Sequence, residues 1–184
     1  MSNILDTGGH RKARLLFTNQ GAIMNQDKAL REHVVELLEG KQAHVDFDST
    51  INELPKEHRG KKPDGAPYTP WQLLEHMRIA QRDILEFSRN AKHVSPEWPE
   101  GYWPTSETPA DEESWNKSVS DFRTDLQAMK DLAANPSTDL YSRIPHGTGQ
   151  TILREALLVA DHNAYHLGQI VLLERLLRAI RDGE

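Results

Sequence analysis

Residues 157–177 read LLVADHNAYHLGQIVLLERLL, and this stretch decides the fold class. Leucine, isoleucine and valine recur with helical spacing from Leu157 to Leu177, with no strand-like alternation and no proline. The run predicts one long helix, from about Gln150 to Ile180, with His162 and His166 four residues apart on one face. At 100° per residue the two imidazoles lie about 40° apart and roughly one turn apart along the axis.

Three more amphipathic segments precede it. Leu30, Val34, Leu37, Leu38 and Val45 share helical spacing, with a fresh start expected at Met24 and a cap at Asn25 or Asp27. The same phase continues past Gly40, which would put His44 on the inward face with Leu37 if the helix runs on with a bend there. The second helix opens with Thr69 as cap and Pro70 at its first position, and runs through WQLLEHMRIAQRDILEFSRN. Leu73, His76, Ala80, Asp83, Ile84 and Phe87 share one of its faces. The third starts near Pro109–Asp111 and carries Trp115, Val119, Phe122, Leu126, Met129 and Ala133 as its stripe. Between the second and third lies HVSPEWPEGYWPTSETP, too rich in proline for a helix; its Trp98, Tyr102 and Trp103 read as packing groups. The expected fold is all-α, a four-helix bundle with long crossover connections. Residues 1–23 read as a flexible N-terminal arm, and 24–184 as a single domain.

Composition narrows the function classes. The 184-residue chain has a formal net charge of -6 and no concentrated basic patch, which argues against nucleic acid as a partner. No apolar run reaches the ~20 residues that span a bilayer, and no secretory leader is evident, so no membrane partner is expected. The chain has no cysteine, which excludes disulfides, thiolate ligands and a protein thiol nucleophile, and fits a reducing cytoplasm.

The histidines carry the chemistry. An i, i+4 pair can hold one divalent ion, and His76, inside the apolar face of another helix, is the best third ligand. Three imidazoles would leave positions open for water or substrate, as in catalytic sites. Against this, such a pair is equally a feature of surface neighbours or of core histidines bonded to carbonyls. The segment is also not HExxH, because Asn163, Ala164 and Tyr165 separate the pair and supply no general base. His44 is a candidate to line the pocket or add a fourth nitrogen, and His146, in a Gly-flanked loop, to border the mouth; for both, a plain structural or exposed role is the alternative. Asp83 lies ~10 Å along the helix from His76, too far to ligate the same ion. His10, His33, His58 and His93 have no constellation around them.

PWQLLEHMRIAQRDILEF, followed by IPHGTGQTILREALLVADHNAYHLGQIVLLERLL, resembles the DinB/YfiT-like superfamily of metalloenzymes over roughly residues 25–180. The resemblance implies a four-helix bundle and a metal triad of His76, His162 and His166. It also implies a thiol-dependent transferase or isomerase reaction, in which a divalent metal works with a low-molecular-weight thiol. Three nitrogens suit zinc or nickel, and iron is compatible. With no cysteine in the chain, the thiol would be an external co-substrate, attacking a small electrophile as a metal-bound thiolate. The alternatives are a metal-dependent hydrolase and a non-catalytic, stress-associated metal-binding bundle. The fourth helix also shows a second apolar face, Leu153, Ala156, Ala160, Ala164, Leu167 and Val171, which predicts a homodimer through that helix.

Overall fold

The computed structural model describes the backbone of residues 8–182 and the side chains of residues 24–181. Among the described residues the chain is all-helical. Its α-helices are α1 (Gly8–Glu39), α2 (Phe47–Glu53), α3 (Pro70–Arg89), α4 (Glu112–Ala134) and α5 (Ile152–Asp182). None is long and apolar enough to cross a membrane. The helix expected to start at Met24 begins at Gly8. The arm expected over residues 1–23 lies outside the residues whose side chains are described.

Helix α1 does not continue past Gly40. Gly40 takes a φ of +68° and donates its N–H to the Leu37 carbonyl. This left-handed turn beyond the helix end suits a residue without Cβ. The chain then restarts as α2, where the Asp46 side chain accepts the Ser49 N–H. Sequence periodicity missed this short helix. Its Phe47 stacks on Phe122 with ring centroids 4.0 Å apart. Ending α1 at Gly40 also leaves Val45 half exposed, and Leu37 points to solvent. Helix α3 starts as expected: the Thr69 hydroxyl accepts from Gln72 N–H while the Gln72 side chain accepts the Thr69 N–H, with Pro70 at the first helical position.

Helix α3 packs on α4 and α5, and α1 closes the opposite side of α4 and α5. One part of the core joins Trp71, Leu74 and Met77 of α3, Trp115 and Phe122 of α4, and Leu167, Ile170 and Leu173 of α5. A second joins Val34 and Leu38 of α1 to Leu85, Met129, Ala156, Val159 and Ala160. The face expected to meet a second copy of the chain is partly covered within the chain. Ala156, Ala160 and Leu167 of that face are buried within the chain, Leu153 and Val171 are half-buried, and Ala164 is exposed.

Arg31 locks α1 to the end of α4. Its side chain is buried, and it donates to the carbonyls of Ala133, Asn135 and Thr138 at 2.9, 2.8 and 2.8 Å, and to Asp27 at 2.7 Å. The planar fork of guanidinium satisfies carbonyls that a helix C-terminus leaves without partners.

Candidate metal centre

Helices α3 and α5 meet where His76 faces His162 and His166. One ligating atom from each ring lies within 4.8 Å of the others, and no carboxylate joins the group among the described residues. His76 and His166 are buried and His162 is partly so. The ring centroids of His162 and His166 lie 4.6 Å apart, those of His76 and His166 also 4.6 Å, and those of His76 and His162 4.9 Å. Helical spacing brings the α5 pair together; the packing of α3 on α5 adds the third ring.

The outer nitrogens reveal what the inner ones can do. His76 Nδ1 donates to the main-chain carbonyl of Tyr102 at 3.0 Å. His166 Nδ1 donates to Gln169 Oε1 at 2.7 Å. In a neutral ring with its proton on Nδ1, Nε2 is a bare acceptor. His76 Nε2 lies 3.1 Å from His162 Nε2. Two nitrogens bound to one tetrahedral ion at about 2.05 Å would be about 3.3 Å apart, so this spacing suits a shared ion.

Electrostatics keep the rings neutral. The pKa of His76 is lowered by burial and by His166, against the opposing bond to Tyr102. Burial lowers His166 as well. His162 falls furthest, to about 4, through burial first and then the neighbouring His166 and His76. His162 is only partly buried as a residue, yet its Nδ1 is fully enclosed, and it is this loss of hydration that disfavours its charged form. Neutral imidazole is the form that binds a metal.

An aromatic strap covers the His76 side. Trp103 stacks on His76 with centroids 3.9 Å apart and planes parallel, and Tyr68 stacks on Trp103 at 3.9 Å. The strap is tied back to α3: the Tyr102 hydroxyl donates to Asp83 Oδ2 at 2.6 Å, and His93 Nε2 lies 2.7 Å from Asp83 Oδ1. Burial and the Asp83 carboxylate raise the Tyr102 pKa to about 12, so the phenol remains a donor. Asp83 is thus an anchor for the segment that supports His76, and His93 has the partner that sequence reasoning did not find for it. Trp103 packs directly on a candidate ligand. On the α5 side, Tyr165 is exposed and meets His166 edge-on at 4.8 Å.

The other candidates lie elsewhere. His44 is exposed in the turn after α1, because Gly40 ends the helix that would have turned it inward. His146 is also exposed; its Nε2 donates to the Phe87 carbonyl at 2.6 Å and its ring meets Phe87 edge-on. Phe87 is eleven residues beyond His76 on α3, about 16 Å by helical rise, so His146 does not border the three rings. His58 is buried with Nδ1 2.7 Å from Glu174 Oε2, and His33 pairs with Glu36 on the surface. His10 lies outside the residues whose side chains are described.

Sequence reasoning missed Tyr102, Gln169, Asn163 and Gln81 around the rings. Only Gln169 left a local sign: three residues after His166, it sits on the same helical face. Comparison with known families finds one model, described as the DinB superfamily, that matches residues 39–170. No curated protein and no solved structure matches the chain.

Proposed function

The chain belongs to the DinB superfamily, and from that premise we propose that it is a divalent-metal-dependent enzyme transferring a low-molecular-weight thiol to a small electrophile, with His76, His162 and His166 as the metal ligands. The reading is carried by one observation: three neutral rings turn toward each other, and the two with committed Nδ1 atoms present bare Nε2 acceptors. An Nε2 without a proton is the form that gives its lone pair to a divalent cation, and the three rings stand close enough to share one. We read α1, α3, α4 and α5 as the four-helix bundle of the family, within a single domain over residues 24–184 that works in the cytoplasm.

A divalent ion, zinc or nickel by its nitrogen donors and iron as an alternative, supplies Lewis acidity that lowers the pKa of a coordinated thiol or water. The protein's own groups hold and shield the ligands. The Tyr102 carbonyl and Gln169 keep the Nδ1 protons of His76 and His166 in place. Trp103 and Tyr68 keep water from the face of His76. Among the described residues no carboxylate joins the three rings as a further ligand, and the chain has no cysteine. A thiolate at this site would therefore come from an external co-substrate.

The test is metal analysis of the purified chain, followed by thiol-conjugation assays with small electrophiles and by His166→Ala. Expected are one divalent ion per chain, activity that needs both metal and thiol, and loss of both metal and activity in the folded variant. Ester or amide cleavage with no dependence on thiol would replace this reading with the hydrolase. A metal whose removal unfolds the protein, with no reaction in either assay, would replace it with the non-catalytic bundle.

A further inference from the structure

His162 differs from the other two rings. Its Nδ1 is buried and closes no hydrogen bond of normal geometry, and the same is true of Oδ1 on the adjacent Asn163, although the Asn163 side chain lies close enough to His162 to oppose the fall in its pKa. Two orphaned buried atoms in neighbouring side chains, one able to carry a proton and one able only to accept, would complete each other.

The direction of the Asn163 amide is set from a distance. Gln81 is fully buried on α3, and its Nε2 donates to the Phe122 carbonyl of α4 at 2.7 Å. A backbone carbonyl can only accept, so this bond fixes which end of the Gln81 amide is which. Gln81 Oε1 then faces Asn163 and accepts from its Nδ2 at 2.7 Å. That bond in turn commits Nδ2 of Asn163 and leaves Oδ1 as the free end. The order of acceptors therefore runs from Phe122 through Gln81 to Asn163 and stops beside His162.

Without an ion, the 3.1 Å contact between His162 Nε2 and His76 Nε2 needs a proton between the two nitrogens. His76 has already placed its proton on Nδ1. The proton must come from His162, which leaves His162 Nδ1 bare beside Asn163 Oδ1. With an ion at the three rings, Nε2 of His162 must instead be bare.

We propose that Asn163, oriented by Gln81, is a positioning residue for His162: it accepts the Nδ1 proton when a metal binds, so the ring changes from its Nε2–H to its Nδ1–H tautomer and turns a bare Nε2 to the ion. The proton leaves Nε2 and a proton arrives at Nδ1, so the ring stays neutral and no net proton is gained or lost. This inference rests on the metal-ligand reading above. Under it all three rings have an Nδ1 acceptor, namely Tyr102 O, Asn163 Oδ1 and Gln169 Oε1. Acceptors of this kind fix the orientation and raise the basicity of ligating histidines.

The experiment uses the full chain with imidazole nitrogens labelled for NMR, without metal and with one equivalent of zinc. Expected are a proton on His162 Nε2 in the metal-free protein and on Nδ1 in the zinc form. Zinc affinity, measured by competition with a chelating indicator, should fall about tenfold to a hundredfold in Asn163→Ala and in Gln81→Leu. The double variant should bind no more weakly than Asn163→Ala alone, because Gln81 acts through Asn163. The inference is overturned if His162 is bound to zinc through Nδ1, or if its tautomer is the same in both forms. It is also overturned if folded Asn163→Ala binds zinc as tightly as the unaltered chain. The NMR result on the unaltered chain holds even if a variant fails to fold. If the unaltered chain takes up no zinc, nickel or iron, the metal reading itself fails and this inference with it. Normal uptake with unaffected variants would sink the inference alone.

Discussion

Acid should weaken metal binding far less here than at three ordinary imidazoles. A proton and an ion compete for the same nitrogen, so affinity is fully present while the rings are neutral and is lost as pH falls through their pKa values in the folded protein. For three rings at the unperturbed 6.5, lowering the pH from 7 to 5.5 multiplies the competition at each ring by about 8.4, and the affinity falls about 600-fold. His162 titrates at about 4 and contributes almost nothing over this range. The pKa values of His76 and His166 are lowered from 6.5 as well, mainly by burial. Even with those two left at 6.5, the loss is about 70-fold; their depression makes it smaller still. Isothermal titration with zinc at pH 7, 6.5, 6 and 5.5 and constant ionic strength, corrected for buffer competition, would measure the slope. A fall of 600-fold or more would show that the rings are not held neutral by burial, and the electrostatic account of the site would fail with it.

Arg31→Leu should destabilise the fold by about 3 kcal/mol or more, read from urea melts, because three carbonyls in the last turn of α4 and the loop after it lose charge-assisted donors together. Arg31→Lys should recover only part of this, since one ammonium cannot reproduce the planar fork. Tyr102→Phe should cost about 1–2 kcal/mol by removing the hydroxyl bond to Asp83. Because the main-chain carbonyl under His76 remains, the same variant should weaken zinc binding by no more than about tenfold in a competition titration. His146→Ala should leave zinc affinity unchanged, because that side chain is committed to the Phe87 carbonyl far along α3; a clear drop would place it closer to the rings than its bonds do.

Local pattern and long-range packing divide the information unevenly. The helices α3, α4 and α5 were legible because helix formation depends on residues three and four apart: Thr69, Pro70 and Gln72 mark a start, and the stripe from Trp115 to Ala133 marks a buried face. The His162–His166 pair was legible for the same reason, since one turn of α5 suffices to bring the rings together. His76 required one further step, that an imidazole on an apolar face needs a partner. His44 was misplaced because helical phase persists only while the helix does, and Gly40 ends it.

Other features depended on which segments came to lie side by side. The second apolar face of α5 is read from helical phase, and only the packing shows that its Ala156, Ala160 and Leu167 are buried within the chain while Ala164 stays exposed. The acceptor for His76 comes from Tyr102, 26 residues away, and it is a main-chain carbonyl that any residue type carries. Gln81 reaches Asn163 across 82 residues. Sequence alone therefore determined which residues can form helices and which carry ligand nitrogens. Only the tertiary structure decided where the proton of His76 sits, because a ring's tautomer follows the acceptor beside it, and here that acceptor, the Tyr102 carbonyl, lies on another segment of the chain.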